Sequence, residues 1–89
     1  MVKTITLPQF VVTLEDALKS KIRNSQVDIE KVGRTNRYRF VVVSDRFRRM
    51  NHPKRQNFVW DIAEKVLTPQ EMLRVSMIIT LEPNDVNGR

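Results

Sequence analysis

Apolar residues recur with two different periods along this chain, and the changes of period mark out its elements. Leu14, Ala17, Leu18 and Ile22 return every three to four residues, as one face of a helix does. Thr13 with Asp16 three residues on has the form of a capping box. Glu15 and Asp16 suit the positive helix end, so a helix is predicted from Thr13 to Asn24-Ser25. Val27 and Ile29 then alternate with Gln26, Asp28 and Glu30, the pattern of a half-buried strand with one wet face. Gly33-Arg34-Thr35-Asn36 reads as a turn. Arg37 to Ser44 follows as a second strand, with Tyr38, Phe40 and Val42 on one face and Arg39, Val41 and Val43 on the other. The run Val41-Val42-Val43 is β-branched and favours strand, and the two strands form an antiparallel hairpin.

From Ser44 to His52 the pattern loses its period, with only Phe47 and Met50 apolar. This is a connector with room for one helical turn. Pro53 suits the first position of a helix, capped by His52 or Asn51. Phe58, Val59, Ile62, Ala63 and Val66 make its apolar stripe. Thr68-Pro69 breaks it, and Thr68 with Glu71 is a second capping box that predicts a further short turn. Val75, Met77, Ile79 and Leu81 alternate with Ser76, Ile78 and Thr80, giving a last strand. Lys3, Ile5 and Leu7 alternate with Thr4 and Thr6 ahead of Pro8, which predicts a possible extra N-terminal edge strand. The expected organisation is an extension over 1–12, one domain over 13–83 and a flexible tail over 84–89. The fold class is α+β, with helices packed on one face of a three-stranded sheet.

Charge changes the picture. The chain of 89 residues has a net charge of +6. Residues 31–55 hold nine basic side chains and one acidic one, Asp45, while the rest of the chain is slightly acidic. Positive charge so concentrated attracts phosphate backbones or acidic protein faces; the bland alternative is a solvated surface. There is no cysteine, which excludes disulfides, thiolate ligands and a cysteine nucleophile from this chain. No apolar run approaches the roughly 20 residues of a membrane span, and Met1 to Thr6 lack a signal-peptide core, so a cytoplasmic protein without a membrane partner is expected.

Candidate chemistry is sparse. His52 is the only histidine; as a metal ligand it has no companions, and a solvated or capping side chain is the better reading. Asp61 and Glu64 lie three apart, which reads as a polar helix face shared with Lys65 rather than a catalytic pair. Gly33 and Gly88 are the only glycines, so there is no phosphate-cradling loop. No enzymatic activity is expected. Trp60 flanks the long stripe, as a core edge or an anchor for a partner.

Four pieces of the sequence resemble the BolA family, a variant of the KH-like αββααβ arrangement. Phe40-Val41-Val42-Val43-Ser44-Asp45-Arg46-Phe47 resembles its strand-then-loop signature. Arg55 stands eight residues after Phe47, at the spacing of the family's Arg-His-Arg triplet. Phe58-Val59-Trp60 resembles the start of its long helix, and Thr80-Leu81-Glu82-Pro83 its last strand. The resemblance covers residues 13–86. It implies a non-catalytic partner of a monothiol glutaredoxin in iron–sulfur or redox homeostasis. The triplet here reads Arg55-Gln56-Asn57, so Gln56 stands where family members use a histidine to ligate a shared iron–sulfur cluster. A glutamine amide is a poor iron ligand beside imidazole, so the chain is expected to hold no cofactor by itself. Arg49 stands where the family often has glycine, and the loop between the first two strands has no Cys or His. The family is also linked to transcriptional regulation, which implies DNA or RNA as an alternative partner. A KH-type GXXG clamp is missing, so phosphate contacts from the basic segment 46–55 are what remains. The predicted binding surface is Arg46, Arg48, Arg49, Lys54, Arg55, Gln56, Asn57 and Trp60.

Overall fold

The computed structural model describes residues 7–87. The elements run α1 (Gln9–Lys21), β1 (Gln26–Lys31), β2 (Tyr38–Val43), a 3-10 helix (Asp45–Arg49), α2 (His52–Val66), α3 (Pro69–Met72), β3 (Val75–Leu81) and α4 (Pro83–Asn87). The fold is α+β. The sheet order is β1-β2-β3, with β1 antiparallel and β3 parallel to the central β2. A parallel neighbour needs a crossover, and α2 with α3 provides it. α1 and α2 pack against each other over one face of the sheet.

The first helix begins earlier than Thr13. Pro8 sits at its N-cap and its carbonyl accepts the Val11 N–H at 3.0 Å. Phe10 and Val11 extend the stripe of Leu14 and Leu18 backward by one turn, and all four are buried. Their burial outweighs the strand preference of the β-branched run Val11-Val12-Thr13. Thr13 is therefore a helix-interior residue whose hydroxyl accepts from Gln9 Nε2 at 3.5 Å, and residues 9–12 belong to the domain rather than to an extension. Lys3 and Ile5, the suggested edge strand, lie outside the described residues; Leu7 packs against the core.

Asn24, at φ 54°, turns the chain into β1. Asparagine tolerates this left-handed region better than most side chains. In the hairpin Val27 faces Val42 and Ile29 faces Phe40, which fixes the apolar side of both strands. Gly33 at φ 54° supplies the left-handed step of the turn. Tyr38, Phe40 and Val42 are buried, as the alternation predicts.

The last strand does not follow its simple alternation. Tyr38 pairs with Val75 but Arg39 with Met77, so Ser76 is an extra residue in the ladder. The bulge shifts the phase: Val75, Ile78 and Thr80 are buried, and Met77 is 44% exposed. Val41, Val43, Ile79 and Leu81 lie half-buried on the opposite face. The stripe of α2 also shifts by one: Val66 is 39% exposed and Leu67 is buried in its place. Asn51 caps α2 through the Lys54 N–H at 3.0 Å, and the Thr68–Glu71 capping box of α3 forms as predicted. Pro83–Asn87 form α4 where a flexible tail is expected from residue 84. Pro83 is pre-set for a first helical position, and Asp85 Oδ2 accepts the Glu82 N–H at 2.8 Å.

Leu14→Ala is expected to lower unfolding free energy by about 2–5 kcal/mol. Thr68→Ala is expected to cost about 1 kcal/mol, and Thr13→Ala less than about 0.5 kcal/mol because Thr13 is no cap. Thr80 Oγ1 is buried without a partner, so Thr80→Val is expected to stabilise by about 1 kcal/mol. Urea unfolding of the four variants checks all of these.

Candidate functional site

The basic segment is organised from Ser44, the residue that follows β2. Its N–H donates to the Leu81 carbonyl at 3.0 Å, which ties the end of β2 to β3. Its Oγ accepts the Arg46 N–H at 3.1 Å and so caps the 3-10 helix. The same hydroxyl donates to the Arg23 carbonyl at 3.3 Å. Phe47, fully buried, pins the 3-10 helix to the core, so its polar neighbours Arg46, Arg48 and Arg49 face outward.

Those arginines meet Arg23 and Lys54 around an open basin of about 700 Å³, which also contains Asp45. Arg23, Arg46, Arg49 and Lys54 make no ion pair among the described residues. Arg46 lies over the Phe58 ring at 5.8 Å. Arg48 is shared, its Nε 3.7 Å from Glu82. Of the eight predicted surface residues the basin gathers four: Arg46, Arg48, Arg49 and Lys54.

Arg55 and Gln56 turn inward instead. Arg55 donates to the Met50 carbonyl at 3.0 Å and to Glu82 at 2.5 Å, and stands over the Phe47 ring at 5.8 Å. The Arg55 and Glu82 side chains are only 15% and 22% exposed, so this pair is a clip between the start of α2 and the end of β3. Gln56 Nε2 donates to the Ile78 carbonyl at 2.9 Å, and its Oε1 accepts the Trp60 Nε1–H at 3.1 Å. Ladder bonds from β2 reach the Leu81 carbonyl, so the Ile78 carbonyl points away from β2, along the free edge of the sheet. Gln56 thus caps that edge. Trp60 is half-buried against the core beside it, Asn57 is exposed outside the basin, and His52 is the exposed first residue of α2.

Sequence reasoning missed Arg23 and Glu82. Arg23 stands far from the basic segment and reaches the basin only because the hairpin returns the chain to it. The i,i+3 spacing of Glu82 and Asp85 hints at a cap, but nothing in it points to Arg55.

The architecture matches solved structures over nearly its full length. The BolA domain of SufE1 from Arabidopsis thaliana superposes with a TM-score of 0.68 at 15% identity, covering 90% of this chain and 99% of that one. The fold is that of a BolA domain. A bol-like protein from Babesia bovis superposes with a TM-score of 0.56 at 17% identity, over 88% of this chain and 92% of that one. No family model matches the sequence, and comparison with curated proteins returns no match. No helix among the described residues is long and apolar enough to cross a membrane. Within this BolA-like fold, Gln56 and Arg55 are parts of the scaffold, while the cations around them remain at the surface.

Arg55→Ala is expected to destabilise by about 2 kcal/mol, because it strands a half-buried carboxylate and the Met50 carbonyl. Arg49→Ala is expected to stay within about 0.5 kcal/mol. Gln56→Ala is expected to cost about 1–2 kcal/mol and to shift Trp60 fluorescence, since the indole N–H loses its acceptor. Thermal melts and emission spectra test these.

Proposed function

We propose that this chain is a non-catalytic BolA-like binding module whose basic face takes the phosphate backbone of a nucleic acid. One observation carries the reading: Arg23, Arg46, Arg49 and Lys54 face one basin without a carboxylate partner among the described residues. Side chains so arranged favour a polyanion. With no GXXG loop, the contacts go to phosphate rather than to bases, which means salt-sensitive and largely sequence-blind binding. Catalysis finds no support in the residues. The chain has no cysteine and one histidine, and Asp61 is ion-paired with Lys65 on an exposed helix face.

The residues present do not fit an iron–sulfur cluster shared with a glutaredoxin. The Gln56 amide is committed at both ends, its Nε2 to the Ile78 carbonyl and its Oε1 to the Trp60 indole N–H. Docking on a monothiol glutaredoxin without a cluster is the competing outcome, in the cytoplasm in either case.

Fluorescence anisotropy with a short labelled duplex tests the proposal. Four cations each neutralising one phosphate give a slope of log affinity on log salt of about −3.6, so affinity is expected to fall roughly 150-fold between about 50 and about 200 mM salt. Joint reversal, Arg46→Glu with Arg49→Glu, is expected to abolish binding while the circular dichroism spectrum stays unchanged. Affinity indifferent to salt or to the reversals overturns the proposal. So does a glutaredoxin that binds where nucleic acid does not.

A further inference from the structure

The basin differs from a flat basic patch because its cations come from three separate segments. Arg23 follows α1, Arg46, Arg48 and Arg49 belong to the 3-10 helix, and Lys54 lies in the first turn of α2. The hairpin register brings the first two segments together. Gln26 faces Val43, so Arg23, three residues before Gln26, and Arg46, three residues after Val43, leave the same open end of the hairpin. Ser44 joins them. It is 1% exposed, and its one hydroxyl bonds the Arg23 carbonyl and the Arg46 N–H. Through its own N–H the junction is fixed to β3. The backbone fixed this way starts the Arg23 and Arg46 side chains from one point, and guanidinium groups match phosphate oxygens in paired, planar hydrogen bonds. Five cations line the basin; Asp45 lies among them and Glu82 pairs with Arg48, and the surplus of positive charge favours a ligand with several negative charges over a monoanion.

We propose that the basin is a built site for clustered phosphate oxygens, in which Arg23 is a contact residue and Ser44 a positioning residue that holds the Arg23 and Arg46 walls together. The inference rests on the nucleic-acid reading only for the source of the phosphates; a free polyphosphate chain offers the same chemistry.

An amide-shift titration of the full chain with tripolyphosphate, and separately with a short DNA duplex, distinguishes the sources. The amides of Arg23, Arg46, Arg49 and Lys54 are expected to move with both ligands. Arg23→Gln is expected to weaken both about tenfold and to reduce the salt slope for duplex by about one. Arg34→Gln, in the turn at the far end of the hairpin, is expected to change neither. Ser44→Ala removes no charge, yet is expected to weaken binding several-fold. Combined with Arg23→Gln it is expected to cost less than the sum of the two changes, since the part of its effect that acts through Arg23 is already gone while the part that acts through Arg46 remains. Full additivity overturns the positioning role. Should Ser44→Ala not fold, Ser44→Cys, of similar shape with a weaker donor, takes its place in the cycle. Duplex binding with Arg23 unmoved overturns the site and leaves the nucleic-acid reading standing. Tripolyphosphate binding without duplex binding overturns that reading and supports the site. Silence in both titrations overturns both.

Discussion

One buried hydroxyl holds the corner of the fold on which the surface chemistry depends. Ser44 follows β2, ties its end to β3 through the backbone, caps the 3-10 helix and reaches across to the Arg23 carbonyl after α1. A polar group at that depth is tolerated only because its hydrogen-bonding capacity is used. The consequence is geometric. Three chain segments that carry arginines leave one point in fixed directions, so positive charge collects on one side instead of spreading over the loops.

Cations in this region divide into two kinds, and burial separates them. Arg55 is covered and meets every demand that burial makes: a carbonyl, a carboxylate and an aromatic ring surround it. Glu82 serves as its counter-charge, and water screens this pair less than one on the open surface. Arg46, Arg49 and Lys54 remain in water, where hydration compensates their charge and leaves them available to a polyanion. The same run of basic residues therefore supplies a structural clip and an exposed cationic face.

Gln56 joins the start of α2 to the open edge of the sheet. An amide presents a donor and an acceptor on adjacent atoms, which lets it bridge the free carbonyl of Ile78 and the indole of Trp60 together. A bridge of this kind also blunts an open sheet edge, where unpaired backbone groups invite another strand. Its side chain faces the scaffold on both sides and so closes the fold.

Local pattern was enough to determine the order of elements from α1 to β3, the hairpin with Tyr38, Phe40 and Val42 inward, the Thr68–Glu71 capping box and the concentration of charge between residues 31 and 55, because each depends on neighbours in the chain. It misplaced what long-range packing decides. Helix α1 gains its first turn from the burial of Phe10 and Val11, β3 changes phase at Ser76 to match β2, and Leu67 replaces Val66 in the core. The roles within the basic segment were beyond it for the same reason. Whether an arginine is a clip or a contact depends on which distant carboxylate or carbonyl folds against it, and only the tertiary structure sets Glu82 beside Arg55 and Arg23 beside Arg46.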